Sequence, residues 1–125
     1  MTALFVEPTP DDLVALDVRR SDGSVRIVAS GEIDSSSAPQ FRRTLETLLA
    51  EPGLSEIVVD LAGVTFLDSA GLCVLAGTHR RLKGRGIQLR VLASSRAVIR
   101  PLQITGLWDL LRVEQSNVAA LPVQA

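Results

Sequence analysis

Four residues near the middle of the chain, Asp68-Ser69-Ala70-Gly71, place a carboxylate, a hydroxyl and a glycine between the two apolar stretches of TFLDSAGLCVL, Thr65 to Leu75. Two kinds of chemistry fit them. A carboxylate or hydroxyl just ahead of a helix accepts backbone N–H groups that have no partner inside the helix, and this stabilises the helix by ~1 kcal/mol. Asp68 and Ser69 can both serve in that way. Gly71 is not explained by a bare cap, because glycine in a helix costs about 1 kcal/mol relative to alanine. Either something approaches the backbone closely there or the turn is sharply bent. The second chemistry is phosphorylation. A phosphate on Ser69 adds about −1.5 to −2 charge to a corner that already carries Asp68, and the dipole of the following helix can hold it without a change of fold.

The other reactive side chains are few. Cys73 is the only cysteine and His79 the only histidine, which excludes an internal disulfide, a thiolate metal cluster and most zinc or Cys-His arrangements. If Ser69 were a nucleophile, His79 is the one imidazole available to it. Ten residues along the same helix put it ~15 Å away, beyond hydrogen-bond reach. We therefore expect no catalytic residues, no metal and no cofactor. His79 falls at helical spacing with Leu72, Leu75 and Ala76, which suits a partly buried packing role. The net charge of −1, the 3% aromatic content and the lack of tyrosine give no electrostatic footprint or stacking surface for nucleic acid. No apolar run approaches the roughly eighteen residues that span a bilayer. The opening MTALFVEPTPDD also lacks the basic-then-apolar order of a secretory leader, so a cytoplasmic protein with no membrane partner is expected.

The elements that must position the corner can be read in outline. Residues 1–11 form an extended lead-in and residues 12–125 a single domain. DLVALDVRR and SVRIVAS alternate as two strands of a hairpin around Asp22-Gly23, and GEIDSSS closes the second strand as a polar loop. A helix follows, with Ser36 or Ser37 near its cap, Pro39 in its first turn and Phe41, Leu45, Leu48 and Leu49 along one face. SEIVVDLAG has the continuous apolar core of a strand buried on both faces. After the corner, Leu72, Leu75, Ala76, His79 and Leu82 mark a second helix that ends at KGRG. IQLRVLA is another strand, and Ser94 or Ser95 can cap a third helix that Pro101 should kink or shorten. A short strand around Leu110 to Val113, with Trp108 at its start, and a helical turn over Asn117 to Leu121 complete the chain.

This order implies an α/β fold: a mixed sheet with an N-terminal antiparallel hairpin, followed by right-handed β-α crossovers with helices packed on the sheet. Strands 2, 3 and 4 should then run parallel. Their carboxyl-end loops, GEIDSS, DSAG and ASS, should gather on one edge, where Glu32 and Asp34 would join Asp68, Ala70 and Gly71 around Ser69 as a docking edge.

SGEID, VVDLAGVTFLDSAGLCVL, LRVLASSRAVIRPLQITGLWDLLRV and NVAAL together resemble, in order and spacing, the anti-sigma factor antagonists of the STAS domain class. The resemblance runs from about Leu13 to Leu121, and FLDSAGL is its most specific part. It implies a STAS-like fold and a partner switch in transcription regulation and stress response. In that family a kinase-type anti-sigma factor phosphorylates the serine directly after the motif aspartate, which is Ser69 here. The unphosphorylated antagonist binds the anti-sigma factor and so frees a sigma factor, which it touches only indirectly. A metal-dependent serine phosphatase resets the switch. The family often has a second serine where this chain has Ala70, so the choice of hydroxyl is unambiguous. Pro101 is a second departure, and it bears on the third helix.

Three other readings compete. An aspartate-phosphorylated receiver would use Asp60, but it should start β-α and carry a lysine near its last strand, whereas this chain starts with a hairpin and has Lys83 as its only lysine. A STAS docking or scaffold subunit of another signalling assembly would use the same surface without an anti-sigma partner. A nucleotide-binding regulatory domain would use the same loops, though no P-loop is present.

Overall fold

The computed structural model describes residues 14–116. The lead-in and the turn expected over Asn117 to Leu121 lie outside the described residues.

β1 (Val14–Ser21) and β2 (Ser24–Ile33) pair antiparallel, with Ser21 opposite Ser24, Val18 opposite Ile27 and Val14 opposite Gly31. Asp22 and Gly23 form the turn with φ of 29° and 79°, the double positive φ that a two-residue hairpin loop of this twist requires. Val25, Ile27 and Ala29 are buried and alternate with more exposed neighbours. β2 runs further than its apolar pattern suggests, through Gly-Glu-Ile to Ile33, because Glu32 and Ile33 are still paired with the next strand. α1 (Ala38–Leu49) starts with Pro39 in its first turn and buries Phe41, Leu45, Leu48 and Leu49, as the spacing predicts.

β3 (Glu56–Leu67) lies parallel to β2 and is four residues longer than its apolar core suggests. Ile57 to Leu61 are buried without interruption. Beyond Asp60 the pairing shifts twice, between Val28 and Ser30 and again between Gly31 and Glu32, and each time β3 carries an additional residue. Two β-bulges thus change the buried spacing from two to three. Leu61, Val64 and Leu67 all reach the core, where strict alternation would have turned Val64 outward. Asp60 serves the first bulge: its Oδ1 accepts the N–H of Ala62 at 3.0 Å and its Oδ2 pairs with Arg26 at 3.3 Å.

α2 (Ser69–Leu82) carries the chain to β4 (Gln88–Ala93), which pairs parallel with β3 over Glu56 to Asp60. α3 (Arg96–Ile104) contains Pro101 and stops three residues later. Gly106, with φ of 81°, then redirects the chain into one turn, α4 (Leu107–Leu110). β5 is only Glu114–Gln115, parallel to β4. The strand expected around Leu110 to Val113 is therefore corrected. Leu111 and Val113 are buried in alternation, like a strand, but Arg112 between them has φ of 51°. Trp108 sits in α4, packed against the core.

The sheet order is β1-β2-β3-β4-β5. Every parallel crossover advances in the same direction, so right-handed connections place α1, α2 and α3 on one face. There the core forms from Ile27, Phe41, Leu45, Ile57, Leu75 and Leu102 with their buried neighbours, each large side chain contributing ~1.5–3 kcal/mol. The opposite face carries Arg26, Glu56, Asp60, Arg90 and Glu114, joined by the pairs Arg26–Asp60, Arg90–Glu56 and Arg90–Glu114. The expected class, an antiparallel hairpin followed by parallel crossovers with helices on the sheet, is the one observed.

Candidate functional site

Two strands end side by side at the site. The N–H of Asp68 donates to the carbonyl of Ile33 at 3.2 Å and locks the loop after β2 to the loop after β3. The β2 loop is knotted by its own side chains. Asp34 Oδ1 accepts from the N–H of Ser36 at 2.8 Å and of Ser37 at 3.1 Å. Ser37 Oγ donates to the Glu32 carbonyl at 2.7 Å and accepts from the Asp34 N–H at 2.9 Å. Ser37 precedes α1 but makes no side-chain cap to it. Its hydroxyl is spent on the loop. Asp34 is partly buried in this knot, while Glu32 is exposed.

The corner after β3 separates the two roles that its residue types allow. Asp68 is the cap of α2, in extended backbone, and its Oδ1 accepts from the N–H of Ala70 at 2.9 Å and of Gly71 at 3.4 Å. Ser69 is the first residue of the helix. It is exposed, and its hydroxyl makes no hydrogen bond among the described residues. The structural task that could have occupied the hydroxyl is done by the neighbouring carboxylate. Ala70 is partly exposed beside it.

Gly71 belongs beneath the corner rather than on its outer edge. It is buried, and a Cβ there would overlap Leu67 Cδ1 and lie 2.7 Å from Ile33 Cγ2. The close approach that this glycine implies is made by the chain's own core. The serines after β4 stop short of the corner. Ser94 Oγ donates to the Ala62 carbonyl at 3.2 Å and Ser95 Oγ to the Val64 carbonyl at 3.1 Å. They satisfy the edge of β3 where β4 no longer pairs with it, and neither side chain caps α3. Asp60, mid-strand and largely buried against Ala62 and Arg26, is not placed like a receiver's exposed acceptor. Among the described residues no cluster of three or more His, Cys, Asp or Glu side chains could hold a metal ion, and no helix is long and apolar enough to cross a membrane.

A sequence profile described as STAS domain matches residues 15–120. The chain belongs to the STAS domain family. It is 35% identical to the anti-sigma-B factor antagonist of Bacillus subtilis strain 168 over 104 residues, 83% of this chain and 94% of that protein. Among solved structures, it is similar to an anti-sigma factor antagonist from Mycobacterium paratuberculosis, with a TM-score of 0.79, 32% identity, and coverage of 92% of this chain and 96% of that one. The fold also matches the anti-sigma factor antagonist SpoIIAA in its unphosphorylated form, at 21% identity and a TM-score of 0.71 over 88% of this chain and 95% of that one. The resemblance read from SGEID, FLDSAGL and ITGLWDLL thus holds.

One exposed residue of this STAS domain escapes the motif reading. Phe66 is 46% exposed, two residues before Asp68 and directly across from Glu32 in the β2–β3 register. Phe-Leu-Asp offers the clue: consecutive strand residues point to opposite faces, and Leu67 takes the core, so Phe66 must turn outward. Cys73, one turn beyond Ser69 on α2, is also exposed. The edge thus carries an apolar ring, three carboxylates and an unengaged hydroxyl.

Proposed function

We propose that this chain is a cytoplasmic anti-sigma factor antagonist that docks through the Ser69 corner and is switched by phosphorylation of Ser69. The unphosphorylated protein binds a kinase-type anti-sigma factor and so releases a sigma factor. The kinase transfers the γ-phosphoryl group of ATP to Ser69 Oγ, the hydroxyl proton departs and ADP is released. A metal-dependent phosphatase hydrolyses the ester with water, regenerating the serine and inorganic phosphate. Ser69 is the acceptor, and Asp68, Ala70, Glu32 and Asp34 border the contact, with Gly71 supporting it from below.

The observation that carries this reading is the division of labour at the corner: Asp68 caps α2, which leaves the Ser69 hydroxyl exposed and unengaged. Relatives named as anti-sigma factor antagonists support the class of partner. Ala70, where the family often has a second serine, leaves one hydroxyl at the corner and so bears on which one is used.

The energetics favour release over refolding. Repulsion between a phosphate and a carboxylate in water is ~1 kcal/mol per unit pair at about 4 Å and falls with distance. Covering the phosphate with a partner would strip its hydration, at several kcal/mol per buried ion. Desolvation is the larger effect, and it acts only when the partner docks. The free protein, with its phosphate in water near the positive end of α2, keeps its fold.

The direct test is to incubate the protein with its kinase-type anti-sigma factor and ATP and to map the phosphate by mass spectrometry. One phosphate on Ser69, absent from Ser69→Ala, is the expected result. Label that persists in Ser69→Ala would refute the assignment.

A further inference from the structure

A groove runs between α1 and α2, starting beside the corner. Its near part, about 280 Å³, opens by Ser35 and Ala70, and its far part, about 390 Å³, reaches Gly77 and Arg81. Arg42, Cys73 and Val74 line both parts, so the two are continuous. The charge changes sign between the corner and the groove. The corner holds Glu32, Asp34 and Asp68, whereas the charged lining of the groove is Arg42, Arg80 and Arg81 against one acid, Glu46. Glu46 pairs with Arg81 at 3.2 Å. Arg42 and Arg80 are exposed and make no ion pair among the described residues.

Gly77 lies on the wall of the same groove. It lies well inside α2, where glycine costs about 1 kcal/mol relative to alanine, and its φ is not positive. The described residues supply no reason for it. Among them, a Cβ on Gly77 would find only Arg80 Nη2, at 3.9 Å, whereas the same atom on Gly71 would collide with the core. One glycine of α2 is demanded from inside and the other is not. Gly77 lines the groove, and a bare helix backbone on a groove wall lets a second backbone come closer than any side chain allows.

We propose that the α1–α2 groove seats an acidic helical segment of the anti-sigma factor, with its backbone closest at Gly77 and its carboxylates against Arg42 and Arg80. Recognition then extends two turns of α2 beyond Ser69. The partner is specified by a charge pattern opposite to this surface: basic where it meets the corner and acidic where it lies in the groove. The inference rests on the proposed function, since it concerns the same partner.

The test titrates the purified kinase-type anti-sigma factor of the same organism into wild type, Gly77→Ala, Gly77→Gln, Arg42→Glu and Arg80→Glu, with a melting curve for each. Gly77→Ala is expected to raise the Tm by roughly 3–6 °C and yet weaken binding about tenfold, with Gly77→Gln weaker still. Each charge reversal should cost about tenfold and reduce the dependence of affinity on salt. Bound partner should also protect Cys73, the sole thiol, from maleimide labelling. A lowered Tm for Gly77→Ala would show that the fold needs the glycine and overturn the proposal, as would wild-type affinity for Gly77→Gln or both arginine variants. If Ser69 phosphorylation still controls binding while the groove variants bind normally, only the groove inference fails. If wild type binds no such partner and takes no phosphate, the groove inference falls together with the proposed function.

Discussion

Gly71 is pressed against Ile33: a Cβ on the glycine would lie 2.7 Å from Ile33 Cγ2, and Leu67 Cδ1 comes closer still. The first turn of α2 is thereby seated on the ends of β2 and β3, which holds Ser69 at the surface. Gly71→Ala should lose ~1–3 kcal/mol to overpacking and regain about 1 from helix propensity, for a net destabilisation of up to about 2 kcal/mol. A shift of the urea midpoint to lower concentration checks this, and an unchanged midpoint would mean that the contact relaxes freely. The opposite sign is expected for Gly77→Ala, on the same helix.

The two polar residues of the corner should separate in the same experiment. Asp68→Ala removes the acceptor for the Ala70 and Gly71 amides and should cost ~1 kcal/mol, while Asp68→Asn, an equally good cap, should cost little. Ser69→Ala deletes an exposed, unengaged hydroxyl and should stay within about 0.5 kcal/mol of wild type. Equal losses for Asp68→Ala and Ser69→Ala would mean that the hydroxyl shares the capping after all.

Acid should weaken the fold at the end of the sheet remote from Ser69. Arg20 grips Glu51 with Nε to Oε1 at 3.2 Å and Nη2 to Oε2 at 2.5 Å, and this hydrogen bonding holds the Glu51 carboxyl below its ordinary 4.5. Arg90 does the same to Glu114. A depressed folded pKa means that the unfolded chain takes up the proton more readily. The stabilisation is therefore fully present above 4.5 and is lost as the pH falls through the lower folded value. Both pairs are substantially solvated, so the contribution is small and salt-sensitive. Urea midpoints measured from about pH 6 to about pH 3 should fall less steeply for Glu51→Gln than for wild type.

Much of this architecture was legible because its signals are local. Asp22-Gly23 fixed the hairpin, the Phe41-Leu45-Leu48 spacing fixed α1, and the unbroken run from Ile57 marked a strand buried on both faces. The misses have causes that residue type and spacing do not display. The far half of β3 was hidden because two bulges turned a period of two into three, and the bulge amide at Ala62 is served by Asp60 from within the strand. The last strand was displaced because Leu111 and Val113 alternate in burial around a residue with positive φ. Ser94 and Ser95 resemble caps in sequence, yet their hydroxyls serve strand carbonyls about thirty residues away along the chain. At the site, residue types alone left Asp68 and Ser69 interchangeable, and only geometry assigned the cap to one and exposure to the other. The role of Gly71 was likewise decided by what lies behind it, which spacing cannot show.

A phosphate on Ser69 should detach the partner while the platform stays as it is. Both halves are read from the affinity of the kinase-type anti-sigma factor for the unphosphorylated and the Ser69-phosphorylated protein, with amide NMR spectra of both free forms. Binding should weaken at least about a hundredfold, ~2.7 kcal/mol, with shift changes confined to residues 32–37 and 66–73. Equal affinities, or changes spread through the β-sheet core, would contradict it.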